Sequence, residues 1–254
     1  MYLPVTCSGR FICLWHLKPS TSKTVTSVFH LHNNRSHREL NVHMNGQCLK
    51  HKPYSVCLGV TLDRTLSCRG HLSHSAVKLK SWNNLIATLH TSALAICYSI
   101  AEYCCLVWAR SSYTNLVVSQ LHSSMRLISG CLQPTQHSWL PLVSNIVPPS
   151  LYRKTATDSM LQIIEAHPNG LVHAGIFEHP PLQLASRHPV WSDMTSVDTV
   201  TQWREDWSSA SVVNHTIVTD PTIWQPDVDL PHHTWSLLNH FRTSQDPCHA
   251  NLHK

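Results

Sequence analysis

The chain has 254 residues, enough for one large domain or two modest ones, because a single hydrophobic core stops growing near roughly 250–300 residues. Only 13% of residues are Asp, Glu, Lys or Arg, against a usual share of about 25%, so the surface is thinly charged; the balance of +5 and the pI near 8.7 suit a polyanionic partner without demanding one. Ten cysteines in a chain of this length, with no signal-peptide order at the start, argue against a disulfide scaffold and for a reducing, intracellular compartment.

Residues 1–14 show no period and form an unmatched segment. From Thr24, "TVTSVFHLH" alternates apolar or β-branched residues with polar ones, which predicts a strand. "ELNVHMNGQCLKH" predicts a hairpin turning at Asn45-Gly46, and "YSVCLGVTLD" a third strand, in which Gly59 reads as a point of close backbone approach. Residues 15–70 thus form a strand-rich region.

Beyond Asp63 the period lengthens to that of a helix. "HLSHSAVKLKSWNNLIATL" places Leu72, Ala76, Leu79, Leu85 and Leu89 on one face, and "SALAICYSIAEYCCLVWAR" predicts a helix apolar almost all round, hence buried. Glu102 at its middle and its modest length argue against a membrane span. "TNLVVSQLHSSMRLISG" predicts a helix with Leu116, Leu121, Met125 and Ile128 inward and Gly130 as its C-terminal cap. "PPSLYRKTATDSMLQIIEAHPNG" predicts a fourth, started by proline. Residues 71–167 are therefore a run of helices. Residues 168–254 read as loop, interrupted by short helices at "DTVTQWREDWSSA" and "LPHHTWSLLNHFRTS".

Chemistry is sparsely written. Two-metal catalysis needs carboxylates converging on ions about 3.5–4 Å apart, and the strand-rich region offers only Glu39 and Asp63. Asp227 with Asp229, and Glu205 with Asp206, read as solvated. Cys248, His249 and His253 have metal-like spacing without the paired-Cys knuckle of a structural zinc site, and His71 with His74 lack further partners. No phosphate-binding Gly-rich loop or nucleophile elbow occurs, and no small-molecule substrate is indicated. Lys78, Lys80, Arg126, Arg153 and Lys154 could contact phosphates if one groove gathered them; ordinary surface cations would look the same.

In this order, "LKPSTSKTVTSVFHLHN", "ELNVHMNG", "VCLGVTLDRTLS", "SALAICYSIAEYCCLVWARS", "QLHSSMRLISG", "WLPLVSNIVPPSL" and "DPTIWQPDVDLPHHTWSLLNHFRT" resemble the reverse transcriptases (RNA-directed DNA polymerases) of animal non-LTR retrotransposons of the jockey/CR1/RTE kind. The resemblance runs from about Trp15 to Lys254 and implies an α+β fold: a short antiparallel sheet from the end of the palm, a helical thumb bundle and a loop-rich C-terminal region. It implies that Lys23 matches the family's lysine after the catalytic aspartates, and that Val56-Cys57-Leu58-Gly59 is the strand holding the primer terminus, with Cys57 where tyrosine is expected. The partner implied is an RNA/DNA primer–template, and the parent family's cofactor is Mg²⁺.

Departures accompany the likeness. No position receives the catalytic aspartates, which belong before "LKPSTSKT", so neither catalytic residues nor metal ligands are assigned. A segment expected between "SWNNLIATL" and "HTSALAICYS" is missing, which leaves the first thumb helices fused or out of phase. Arginine is expected where His16, Trp82, His188, Trp224, His232 and His240 stand. Three readings follow: an inactive reverse-transcriptase fragment, a residual nucleic-acid-binding module that grips primer–template through the helices, or a chain that does not fold.

Overall fold

The change of period after Asp63 has its physical counterpart at Cys68/Arg69, where the computed structural model divides into two units, Met1–Cys68 and Arg69–Lys254. It describes residues 20–30, 39, 41–44, 46–83, 93–170, 173–174, 198–226 and 230–245. Short strands in the first unit and helices in the second make the fold α+β.

The first unit holds β1 (Val25–Thr26), β2 (His43–Met44), β3 (Gln47–Cys48), β4 (Lys50–His51), β5 (Ser55–Cys57) and β6 (Val60–Leu62). β2 and β3 form the expected hairpin, Met44 opposite Gln47, with Gly46 at φ 76°. The expected single antiparallel sheet is corrected to three separate pairs, one of them parallel, β1 with β4. Segments of two or three residues, broken by turns, are too short to share a continuous ladder.

The third predicted strand is also corrected. "SVCLGVTL" is a hairpin in which Cys57 pairs with Val60 across a two-residue loop, and both loop residues have positive φ, Leu58 at 47° and Gly59 at 80°. Such a loop matches the right-handed twist of its strands and favours glycine at its second position, so Gly59 serves the turn. Asp63 closes the hairpin region: its carboxylate accepts from Thr65 N, Thr65 Oγ1, Ser67 N and Ser67 Oγ at 2.7–3.1 Å. The Asp-Arg sequence after the strand is therefore a side-chain-stabilised turn.

The second unit contains α1 (Arg69–Asn83), a π-helical turn (Ala93–Tyr98), α2 (Ser99–Ala101), α3 (Cys105–Trp108), α4 (Asn115–Ser129), α5 (Trp139–Ser144), α6 (Pro149–Glu165), α7 (Thr199–Ser208) and α8 (His232–Arg242). α1 and α4 pack directly against each other, with Leu72, Leu79, Val117, Leu121 and Met125 fully buried between elements. Leu116, expected inside, is half exposed, because Val117 lies in phase with Leu121 and Ser124. Leu85 and Leu89 lie outside the described residues.

One predicted helix is broken. Cys104 adopts the left-handed region (φ 51°) between α2 and α3, and Tyr103 and Val107 are exposed, so "SALAICYSIAEYCCLVWAR" is not buried all round. The break turns Glu102 inward onto Arg153 of α6, Nη1 to Oε1 at 3.0 Å. The indole of Trp108 donates to Tyr103 O at 3.0 Å, satisfying a carbonyl that the interrupted helix leaves free.

The two short helices expected after residue 168 are present as α7 and α8. Asp198 caps α7 by accepting from Thr201 N, and Trp207 of that helix meets Trp139 of α5 edge to face at 5.0 Å. Both indoles donate to the connecting chain, Trp139 to Val213 O (3.0 Å) and Trp207 to Val218 O (2.8 Å). α8 then seals the carbonyl end of α4. Asn239 Nδ2 donates to Ser129 O (2.9 Å), Ser236 Oγ to Gly130 O (2.8 Å), and the ring Nε2 of His240 and of His232 lie 2.7 and 3.3 Å from Gly130 O and Leu127 O. Arg242, stacked on Trp235, donates to Asn239 Oδ1 and so fixes which way that amide points.

Gly130 is the expected cap, at φ 66°, and a Cβ there would strike Ser236. Gly130→Ala should therefore cost about 1–3 kcal/mol through backbone strain and displacement of α8. Urea unfolding measures this; an unchanged midpoint would contradict the sealed helix end.

Candidate nucleic-acid interface

The eight sequence-derived candidates separate into distinct environments. In the first unit, Lys23 is exposed on the turn at 21–23, and Leu58 is 84% exposed at the hairpin tip beside Gly59. Tyr54 and Val56 are also exposed on the approach to that tip. A leucine held at positive φ carries backbone strain of about 1–2 kcal/mol, so the tip presents its side chain at a cost.

The two carboxylates of this unit are committed. Glu39 pairs with Arg64 at 3.2 Å. Burial works to raise the Asp63 carboxyl, but the hydrogen bonds from Ser67 and Thr65 outweigh it and hold the group below its ordinary value. Among the described residues, no group of three or more His, Cys, Asp or Glu side chains could hold a metal ion. Asp227, Asp229 and the Cys248–His253 tail lie outside the described residues, while Asp206 accepts from Gln202 on the surface of α7.

In the second unit, only Lys80 and Arg126 come together. They line one groove of about 520 Å³ with Gln120, Ser123, Leu127, Gly130, Cys131 and Gln133. The groove lies at the last turns of α1 and α4, where Lys80 and Arg126 stand as basic residues near helix C-termini. Arg126 donates from Nη2 to Thr135 O at a long 3.4 Å, and its Nε is buried with no hydrogen-bond partner. Burial pushes its guanidinium down from its ordinary value, yet an arginine stays charged at neutral pH.

Neighbouring titratable groups add no charge there at neutral pH. Burial, then His137 stacked at 4.4 Å, then Arg126 lower His122 to about 4. Burial raises the Cys131 thiol above its ordinary value. Among the described lining residues the groove is cationic through two side chains.

The remaining candidates face elsewhere. Lys78 is two residues from Lys80, and residues so spaced do not share a helix face. Lys154 is half-buried on α6, outside the groove lining. Arg153 is turned inward: its side chain is 11% exposed, it pairs with a Glu102 side chain that is 3% exposed, and its Cζ lies 5.5 Å from the Trp108 ring centroid. A guanidinium so engaged is not offered to a phosphate. Gln120, Ser123, Leu127, Cys131 and Gln133 were not anticipated, although Gln120, Ser123 and Leu127 show the i, i+3, i+7 spacing of one helical stripe.

No helix among the described residues is long and apolar enough to cross a membrane. Comparison with family models, curated proteins and solved structures finds no match to this chain.

The buried pair gives a pH signature. Burial raises Glu102 to about 7, against the lowering pull of Arg153, and Oε2 is buried without a partner. The folded state thus favours the acid form: its contribution is fully present below the ordinary value of 4.5 and is lost as pH rises through about 7. Relative to Glu102→Gln, the wild type should lose on the order of 1–3 kcal/mol between those limits. Paired denaturation curves across this range measure the difference; a constant difference would contradict the assignment.

Proposed function

We propose that this chain is a remnant of a non-LTR retrotransposon reverse transcriptase, with thumb-like helices, that binds nucleic acid through phosphate contacts and does not itself add nucleotides. The observation that supports the binding half is the convergence of Lys80 and Arg126 on a groove whose described lining contains no acidic side chain. Of the candidate cations, these two line the same groove. The exposed Leu58 tip suits contact with a sugar or base, in keeping with the role the resemblance implies for that segment.

The non-catalytic half rests on carboxylates. Phosphoryl transfer by two metals requires acidic side chains converging on both ions. In the strand unit, Glu39 and Asp63 are held by Arg64 and by the Thr65–Ser67 turn. Reorienting either would break those bonds.

Two phosphate contacts predict a modest salt dependence. Log K for a primer–template hybrid should fall against log salt with a slope of about −2, at roughly −0.9 per duplex phosphate contact, and Lys80→Gln should reduce the slope by about one. Fluorescence anisotropy across a salt series measures both. Absence of binding at low salt, or binding indifferent to salt, would refute the binding half. Primer extension on an RNA template with Mg²⁺ would refute the other.

A further inference from the structure

Resting on that nucleic-acid reading, we infer that the Lys80–Arg126 groove recognises a terminal phosphate monoester, the phosphorylated end of a strand, in preference to the continuous backbone. The groove is a point, not a track. Lys78 is set off around the helix from Lys80, Arg153 is paired internally with Glu102, and Lys154 is not part of the lining. A backbone spreads single charges along its length, whereas a terminal phosphate carries about two charges at neutral pH on one group. Two convergent cations match the second.

Donors and volume agree. Arg126 brings a weakly engaged Nη2, Lys80 is exposed, and Ser123, Gln120 and Gln133 bring neutral polar groups around them. Charge-assisted bonds from guanidinium and ammonium to phosphate oxygen are the strong ones. A cavity of about 520 Å³ accepts a phosphate with part of its sugar. None of the described lining side chains is aromatic, so these residues offer no stacking platform for a base.

The carbonyl end of α4 would ordinarily repel an anion. Here Leu127 O, Ser129 O and Gly130 O already face polar groups of α8, so the negative end is satisfied from within the protein. Cys131, its thiol raised by burial, adds no opposing charge at neutral pH.

The test uses the full chain with one short single-stranded oligonucleotide bearing either a 5′-phosphate or a 5′-hydroxyl, and a second pair differing at the 3′ end. We expect about tenfold tighter binding of a phosphorylated end, with the preference abolished in Lys80→Gln and in Arg126→Gln. Lys80 is exposed, so its variant keeps the test sound if Arg126→Gln perturbs folding. Equal affinity for phosphorylated and hydroxyl strands overturns this inference and leaves the binding proposal standing; failure of both strands to bind at low salt overturns both.

Discussion

The end of one helix organises the helical unit. When Asn115–Ser129 stops at Gly130, its last carbonyls have no partner within the helix, and burying them unpaired would cost about 1–3 kcal/mol each. Asn239, Ser236, His240 and His232, from a helix more than a hundred residues later in the chain, meet that need. The same stretch, Arg126 to Cys131, forms a wall of the groove. Satisfying a helix end and shaping a binding surface are here one arrangement, and the resemblance expects arginine at two of the positions involved, 232 and 240, where imidazole now points at the carbonyls.

Scarcity of charge governs the rest. With 19 Lys and Arg and 14 Asp and Glu in 254 residues, each ion pair removes a noticeable fraction of what could meet a ligand. Arg153 and Glu102 spend theirs inside, over Trp108, where desolvation offsets much of their attraction. Arg204 with Asp220 tie down the turn after the 3₁₀ segment His215–Ile217. Among the described residues, Lys80 and Arg126 share one groove, which is why the binding we propose is local and weakly salt-dependent.

The sequence was most legible where local chemistry decides the outcome. The hairpin at Gly46, the proline start of Pro149–Glu165, the cap at Gly130 and the Asp198 start of Thr199–Ser208 all follow from single residues with fixed backbone preferences. It was illegible where a distant partner decides. Nothing near Glu102 announces that the helix breaks at Cys104 or that Glu102 meets Arg153, and apolar periodicity alone could not distinguish Leu116 from Val117. Leu58-Gly59 reads as strand because leucine is rare at positive φ; only the pairing of Cys57 with Val60 reveals the turn. For the groove, the two cations were legible as candidates, but their convergence depends on how α1 and α4 pack.

The most direct test of this account is amide hydrogen exchange on the full chain, compared between Asn115–Ser129 and His232–Arg242. If the C-terminal helix supplies the partners of the earlier helix's carbonyl end, both segments are protected and open together, and Asn239→Ala lowers their protection in step. Rapid exchange throughout 232–242 beside a protected 115–129 would contradict it, and would leave the groove without the support described above.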